Sequence, residues 1–135
     1  MREAGLFGMH NAQVNVTDGR HVYMRAPVPG SETAFEYTLM PTHMLHTFRV
    51  RELQDIQLAE PFSFTKGCRT MKIQSLWQHP FPLKTELFDV IADPGQMRPL
   101  DDPEAEARMH RHLVRLLEAS DAPPEQYARL GLKRP

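Results

Sequence analysis

Cysteine is nearly absent from this chain, which excludes an internal disulfide. Cys68 is the only cysteine among 135 residues, so the chain contains no second thiol with which it could pair. This composition is compatible with a reducing compartment. The first residues also lack the long apolar run of a secretory signal peptide. The sequence therefore predicts a cytoplasmic location.

Long apolar runs, an excess of one charge and the common catalytic signatures are absent as well. No apolar stretch approaches the roughly 18 residues that a membrane-spanning helix needs. The 16 basic and 17 acidic side chains leave a formal net charge of −1, which predicts neither nucleic acid nor a membrane as a partner. The chain has no G-x-S-x-G, phosphate-binding loop, dinucleotide fingerprint or C-x-x-C pair.

Proline, in contrast, is abundant. The chain has 12 prolines, about 9% of its residues against a typical 5%. Proline lacks a backbone donor and interrupts helices. Its spacing therefore predicts short strands and loops everywhere except in one window near the C-terminus.

The segment VNVTDGRHVYMRAP, residues 14–27, predicts a β-hairpin. Apolar and polar residues alternate on both sides of its centre, as expected for strands with one buried face. The Asp18-Gly19 pair predicts a type I′ turn with positive φ at both residues. Two functional interpretations compete with the hairpin. Asn15-Val16-Thr17 matches a glycosylation sequon, which we interpret as ordinary strand residues, and Asp18 is a possible metal ligand.

The remaining pattern predicts further strands followed by one long helix. Strands are expected within residues 33–40, 70–75 and 85–91, a short helix near residues 43–49, and a final helical turn over residues 125–130. The long helix is expected over residues 101–120, with Asp102 as its cap and Pro103 at its first position. The most economical packing is an α+β fold with two layers, in which this one long C-terminal helix covers a roughly four-stranded antiparallel sheet.

Histidine and cysteine are the residue types most able to carry chemistry here. His43 and His46 are three residues apart and could hold zinc together on a helix, although no third ligand has suitable spacing. His110 and His112 are two residues apart and would point to different sides of a helix. Cys68 has basic neighbours that can activate a thiol, but a nucleophile also needs a positioned base. We expect no metal site and a non-catalytic cysteine.

Several strings follow one another in a fixed order between residues 4 and 132. They are GLFG, VNVTDGRHVYMRAP, YTLMPTHM, EPFSFTKG, LFDVIADPGQMRPLDD and DAPPEQYARLGL. In this order the chain resembles the C-terminal region of bacterial sulfatases, which are sulfuric ester hydrolases of the alkaline phosphatase superfamily. The most specific strings are VTDGRHVYMRAP and LFDVIADPGQ, and their joint order is more specific than either alone.

The resemblance implies a two-part enzyme of which this chain is similar to the smaller part. In the family, a large N-terminal α/β domain carries a formylglycine made from C-x-P-S-R or S-x-P-S-R, and a divalent cation, usually calcium. Cys68 is followed by Arg69-Thr70-Met71-Lys72, which departs from that signature. We therefore expect residues 1–135 to form a single sulfatase C-terminal-like domain, with the large catalytic domain absent and with neither a catalytic residue nor a cofactor in this chain.

The function implied by the resemblance is support of catalysis. In a complete parent enzyme the domain would pack on the catalytic domain and frame the pocket in which sulfate esters are hydrolysed. His10, His43 and Lys66 are the candidates for the substrate pocket, since lysine suits an anion as a point charge. The alternatives are a stand-alone protein-interaction or anion-binding module and a small hydrolase with a histidine-based site of its own.

A domain that normally packs on a larger one should expose apolar side chains when it stands alone. The candidates for such a surface are Phe7, Phe48, Phe62, Phe64, Trp77 and Phe81. An exposed apolar patch of several hundred Å² favours self-association. The expected partner is therefore a second copy of the chain, in a homo-oligomer, or the missing sulfatase N-terminal domain.

Overall fold

The computed structural model describes residues 2–31, 34–40, 42–43, 45–76 and 79–135. Within these ranges the chain divides into two compact units. The first unit comprises Met1–Ser31 and His79–Pro135, and the second unit comprises Glu32–Gln78. The elements, in chain order, are β1 (Gly5–Gly8), β2 (Val14–Thr17), β3 (His21–Arg25), β4 (Phe35–Thr38), β5 (Gln57–Ala59), β6 (Thr70–Gln74), β7 (Glu86–Asp89), α1 (Pro103–Ala119) and α2 (Pro124–Leu130).

The first unit contains a four-stranded antiparallel sheet in the order β1-β2-β3-β7. The pairing of β2 with β3 confirms the predicted hairpin. The predicted turn geometry is wrong, because φ is positive at Gly19 but not at Asp18. The Asp18 carboxylate accepts hydrogen bonds from the amides of Arg20 and His21. The side chain of Asp18 thus closes the turn, and the positive φ is adopted by Gly19.

Helix α1 covers one face of this sheet and forms the core of the first unit with it. Asp102 caps the helix by accepting from the amides of Glu104 and Ala105, with Pro103 in the first turn, as predicted. The helix packs on β1, β2 and β3. A row of paired residues crosses all four strands beneath it, and paired side chains share a face. This row consists of Leu6, Val16, Tyr23 and Leu87.

Helix α2 confirms the predicted C-terminal turn and is tied back to the sheet by backbone carbonyls. The amide of Val28 donates to the Arg129 carbonyl at 2.8 Å, and Arg25 Nε donates to the Leu130 carbonyl at 2.9 Å. The buried Arg129 guanidinium donates to the Ala12 carbonyl, at 2.7 Å in its shorter contact. These bonds fix the end of the chain against β3 and the loop that follows β1.

The second unit contains a three-stranded antiparallel sheet in the order β4-β6-β5. Strands β4 and β6 confirm the predictions for this region, whereas β5 was not predicted. The short helix expected near residues 43–49 is wrong, because Thr42 and Thr47 form an isolated antiparallel β-bridge. Only short 3-10 turns, at Val50–Leu53 and Ser63–Thr65, interrupt the described strands and loops of this unit.

The α+β class is thus confirmed, with two antiparallel sheets and two helices in the part of the chain that the structure describes. A single sheet covered by one helix does not describe the chain, because residues 35–74 form a sheet of their own. One domain over residues 1–135 stays a prediction, since two compact units can belong to one domain. No helix within the described ranges is long and apolar enough to cross a bilayer.

Candidate functional site

The tip of the β2-β3 hairpin carries a cluster of charged side chains, which we call the hairpin cluster: Asp18, Arg20, His21, Asp89 and Arg108. Asp18 Oδ1 accepts from the amides of Arg20 at 2.9 Å and His21 at 2.7 Å. Asp18 Oδ2 lies 3.2 Å from Nδ1 of the buried His21 ring. Burial alone would raise the pKa of Asp18, but the amides and the His21 ring outweigh it and hold the pKa below its usual range.

Asp89, in the LFDVIADPGQ string, connects β7 to the β2-β3 hairpin. Its Oδ2 accepts from Arg20 Nε at 3.0 Å and from Arg20 NH2 at 2.8 Å, and these hydrogen bonds lower the pKa of Asp89. Its Oδ1 accepts from the amides of Ile91 and Ala92, which closes the turn after β7. The Val90 amide also donates to the Arg20 carbonyl at 2.9 Å. The two most specific strings of the sequence are therefore in direct contact.

Arg108 connects helix α1 to the hairpin cluster. Its NH2 lies 3.2 Å from His21 Nδ1 and 3.8 Å from Asp18 Oδ2. His21 Nδ1 can donate to the carboxylate or accept from the guanidinium, but a single ring nitrogen cannot do both. An Asp–His pair is the orienting part of a hydrolytic triad, yet no serine, threonine or cysteine side chain within the described ranges hydrogen-bonds to His21. The hairpin cluster therefore connects the sheet to the helix through contacts among its own side chains.

His43, in the second unit, is surrounded by carboxylates. Its Nε2 lies 2.8 Å from Glu52 Oε1 and its Nδ1 lies 3.8 Å from Glu36 Oε2. The pKa of Glu52 lies below its usual range, mainly because its carboxylate accepts a hydrogen bond from the Arg49 amide. His43 contributes to the same effect. The His43 and His46 rings are 4.9 Å apart between centroids. Both nitrogens of His43 thus face acids, which suits a hydrogen-bonded structural role.

Lys66 lies at a tight turn of the second unit, between the Ser63–Thr65 turn and β6. Its backbone is left-handed, with a φ of 51°, and the Thr65 hydroxyl lies 2.8 Å from the Cys68 carbonyl across the turn. Cys68 itself is exposed. Its basic neighbours in the sequence are Lys66, Arg69 and Lys72. Two of them have other contacts, since Arg69 pairs with Glu60 and Lys72 Nζ lies over the rings of Phe35 and Tyr37. Among the residues that the structure describes, no hydrogen bond between the Cys68 thiol and a base is found.

Aromatic side chains form a connected surface next to this turn, which we call the aromatic platform: Phe35, Tyr37, Phe62, Phe64 and Lys72. The Tyr37 and Phe62 rings meet edge to face with centroids 5.1 Å apart, and Phe62 and Phe64 stack at 5.3 Å. Lys72 Nζ lies 4.1 Å from the centroid of the Phe35 ring. Stacked rings with a cation offer both apolar contact and positive charge to a bound molecule.

The three predicted pocket residues are distributed over both units. His10 lies in the exposed turn after β1, in the first unit, whereas His43 and Lys66 belong to the second unit. Among the described residues, the contacts found for His43 run to Glu36, His46, Phe48 and Glu52, and none of them runs to Lys66. A shared pocket of these residues stays a prediction.

The predicted exposed aromatic residues differ in their environments. Phe7, Phe64 and Phe81 are exposed and Phe62 is half-buried, whereas Trp77 lies outside the described residues. The prediction that Phe48 is exposed is wrong. Its side chain is buried, and its ring packs edge to face on His43, with centroids 4.4 Å apart.

Metal binding has no support from geometry in the described part of the chain. Within the described ranges, no group of three or more histidine, cysteine, aspartate or glutamate side chains is arranged to hold a metal ion. His43 and His46 are close, but the nitrogens of His43 already face Glu36 and Glu52.

Comparisons of the chain with protein-family models, with curated proteins and with solved structures find no match. The resemblance to a family therefore depends on the sequence strings alone.

Proposed function

We propose that this chain is the C-terminal part of a sulfuric ester hydrolase of the sulfatase type, and that it supports catalysis without performing it. The catalytic nucleophile and the cation would come from a large α/β domain. The chain would pack on that domain and contribute loops to the mouth of the substrate pocket.

The observation that carries this proposal is the contact between the two most specific strings. VTDGRHVYMRAP forms the β2-β3 hairpin. LFDVIADPGQ forms β7, which pairs with β3, and the turn after β7. Two acids of these strings, Asp18 and Asp89, accept from backbone amides, and Asp89 also binds the Arg20 guanidinium. Residues that mark the resemblance are therefore occupied in holding a sheet together, as expected for a supporting domain.

The three pocket candidates differ in how well their surroundings suit a negatively charged substrate. Both nitrogens of His43 face carboxylates, which would repel the negative charge of a sulfate ester. Lys66 is exposed, and no acidic partner for it is found among the described residues. It also lies two residues after Phe64 of the aromatic platform. We infer that Lys66 contributes more than His43 or His10 to binding a sulfate ester in the assembled enzyme.

The proposal is tested with the purified chain and with its coding region. The chain is incubated with 4-nitrophenyl sulfate and calcium chloride, and we expect no hydrolysis above a protein-free control. The DNA upstream, in frame or in an adjacent reading frame, should encode C-x-P-S-R or S-x-P-S-R. Hydrolysis by the chain alone that His21→Ala abolishes would instead favour the small-hydrolase alternative and refute the proposed supporting role.

A docking role for the second unit has an observation of its own. Its described residues expose large apolar side chains, including Leu39, Leu45, Val50, Leu58 and Phe64, and Leu45 is 93% exposed. Exposed apolar side chains in such number favour a protein partner. We infer that another protein surface covers them, that of the large catalytic domain in a complete enzyme, or that of a second copy when the chain is alone.

Light scattering at high protein concentration tests the docking role. We expect a dimer or larger species, and we expect the double substitution Leu45→Asp and Val50→Asp to shift it toward the monomer. The matched control is the double substitution Ile91→Asp and Met97→Asp, which adds the same two charges at residues of the first unit that are 71% and 80% exposed. A chain that stays monomeric at every concentration, or equal effects of both variants, would contradict self-association through the second unit.

A further inference from the structure

A cleft lies in the first unit between the outer side of α1 and the last residues of the chain. Its volume is about 610 Å³, within the range of small-molecule sites. We call it the basic cleft and define it by the residues that matter for binding: Arg111, Val114, Arg115, Leu132, Lys133 and Arg134. A second, smaller depression of about 340 Å³ shares Arg111 and Arg115 with it and continues along the helix.

Positive charge dominates the basic cleft. Four cationic side chains line it, while Glu118 is its one acidic lining residue among those described. Arg115 is held in place by Glu3, with NH2 2.7 Å from Oε2, and it lies 3.1 Å from His112 Nδ1. No carboxylate partner of Arg111, Lys133 or Arg134 is found within the described ranges. Because the whole chain has a formal net charge of −1, the cleft is a local concentration of cations that its one described acidic side chain, Glu118, neutralises only in part.

The same cleft has apolar walls on a fixed framework. Val114 is half-buried on the helix, and Leu132 is buried as part of the core of the first unit. Gly131 ends α2 in a left-handed conformation with a φ of 63°, which turns residues 132–135 toward the helix. The Leu132 amide donates to the Tyr127 carbonyl at 2.9 Å. Arg111 and Arg115 therefore project from the helix, and Lys133 and Arg134 follow directly after the anchored Leu132.

We propose that the basic cleft binds a small organic anion. Its anionic group, a sulfonate, phosphonate or carboxylate, binds Arg111, Lys133 and Arg134, and its apolar body packs on Val114 and Leu132. Guanidinium groups suit oxyanions because their N–H donors match two oxygens at once, and lysine adds a point charge. This site goes beyond the proposed function, since it uses none of the residues placed at the substrate pocket and does not require the catalytic domain.

Isothermal titration of the purified full chain tests the basic cleft. The probes are benzenesulfonate, phenylphosphonate and benzoate, with benzyl alcohol as the neutral analogue and inorganic sulfate as the anion without an apolar body. We expect at least one aromatic anion to bind more tightly than inorganic sulfate, and the neutral analogue to show no binding. The preferred anionic group identifies the ligand class. Raising the salt concentration should weaken binding.

Substitutions locate the binding and distinguish it from general attraction to cations. Arg111→Ala and Lys133→Ala should each weaken the preferred anion about tenfold, the loss expected for one charged hydrogen bond. The control Arg98→Ala removes the same charge from an exposed residue outside the cleft and should leave Kd unchanged. Circular dichroism checks folding, and Arg111→Gln replaces any variant that unfolds. The proposal is overturned if no aromatic anion binds below about 10 mM, if inorganic sulfate or benzyl alcohol binds equally well, or if Arg98→Ala weakens binding as much.

Discussion

The described part of the first unit buries fifteen apolar side chains, whereas that of the second unit buries three, Ala34, Phe48 and Ile73. The fifteen lie in the sheet, in both helices, in the connections between them, just before β1 and just after α2. In the second unit, Leu45 and Val50 are 93% and 83% exposed. The same chain thus contains one region with a substantial core and one region whose apolar side chains mostly face outward.

This difference indicates that the two units are stabilised in different ways. A segment as short as Glu32–Gln78 cannot bury enough apolar surface to be very stable by itself. Its described residues rely instead on the pairing of its three strands, on ring contacts of the aromatic platform and on the hydrogen bond between His43 and Glu52. The first unit has a helix laid across a sheet, and each fully buried leucine there contributes about 1.5–3 kcal/mol. Three pairs of substitutions test this comparison.

The largest expected effect is loss of a core side chain in the first unit. Leu113 has no exposed surface and lies in the core cluster. Leu113→Ala should lower the free energy of unfolding by about 3 kcal/mol, because it removes apolar contacts and leaves a cavity. Urea denaturation followed by far-UV circular dichroism measures this loss.

The matched control for Leu113 lies in the second unit. Leu45→Ala makes the same chemical change at a side chain that is 93% exposed, so the free energy of unfolding should change by less than about 0.5 kcal/mol. Because we propose that a second copy covers Leu45, both variants are measured at a protein concentration at which the chain is monomeric. If Leu45→Ala still costs as much as Leu113→Ala there, Leu45 is covered within the chain itself, and the proposed difference between the units disappears.

A smaller effect is expected at two glycines with left-handed backbones. A Cβ on Gly131 would lie 2.7 Å from Val28 Cγ2, whereas a Cβ on Gly67 would meet nothing within 4 Å. Gly131→Ala should therefore lower the free energy of unfolding by about 2 kcal/mol, and Gly67→Ala by about 1 kcal/mol, the cost of the left-handed conformation alone. The same denaturation experiment measures both. Equal losses would mean that Val28 moves aside without cost, and that the first unit is less tightly packed than we infer.

Local sequence patterns predicted much of the first unit. Alternation in residues 14–25 gave the hairpin, and the apolar stripe with Asp102 and Pro103 gave helix α1. These signals are local, because they depend on periodicity and capping within a few residues. The pairing of Asp89 with Arg20 was not predicted, since it joins residues that are distant in sequence and no local spacing indicates it.

The second unit was predicted less well, for a physical reason. Residues 42–59 keep neither a helical nor a strand period, because few of their side chains are buried and burial is what imposes a period. The short helix was therefore wrong and strand β5 was missed. The acids around His43 were missed as well, although Glu52, three residues after Arg49, has capping-box spacing. That spacing could have placed Glu52 at the start of a turn, but not beside His43.

The smallest expected effect is the dependence of the first unit on pH. The Arg20 guanidinium holds the pKa of Asp89 below its usual value, which is near 3.9 in an unfolded chain. A lowered folded-state pKa stabilises the fold at pH values above the unfolded pKa, and this contribution is lost as pH falls through the folded pKa. Asp89→Asn should therefore lower Tm at pH 7 and show a flatter fall of Tm below about pH 4. The effect is small because Arg20 is 66% exposed at its side chain.

A carboxylate in the second unit provides the control for this pH dependence. Asp55 is exposed, and no hydrogen bond or ion pair of its side chain is found among the described residues, so Asp55→Asn should give a curve of Tm against pH that runs parallel to that of the unmodified chain. Differential scanning fluorimetry at several pH values between about 3 and 7 measures both variants. If the Asp89→Asn curve is parallel as well, the contact between β7 and the hairpin tip does not stabilise the first unit. The contact between the two strings, on which the proposed supporting role rests, would then be present in the structure without stabilising it.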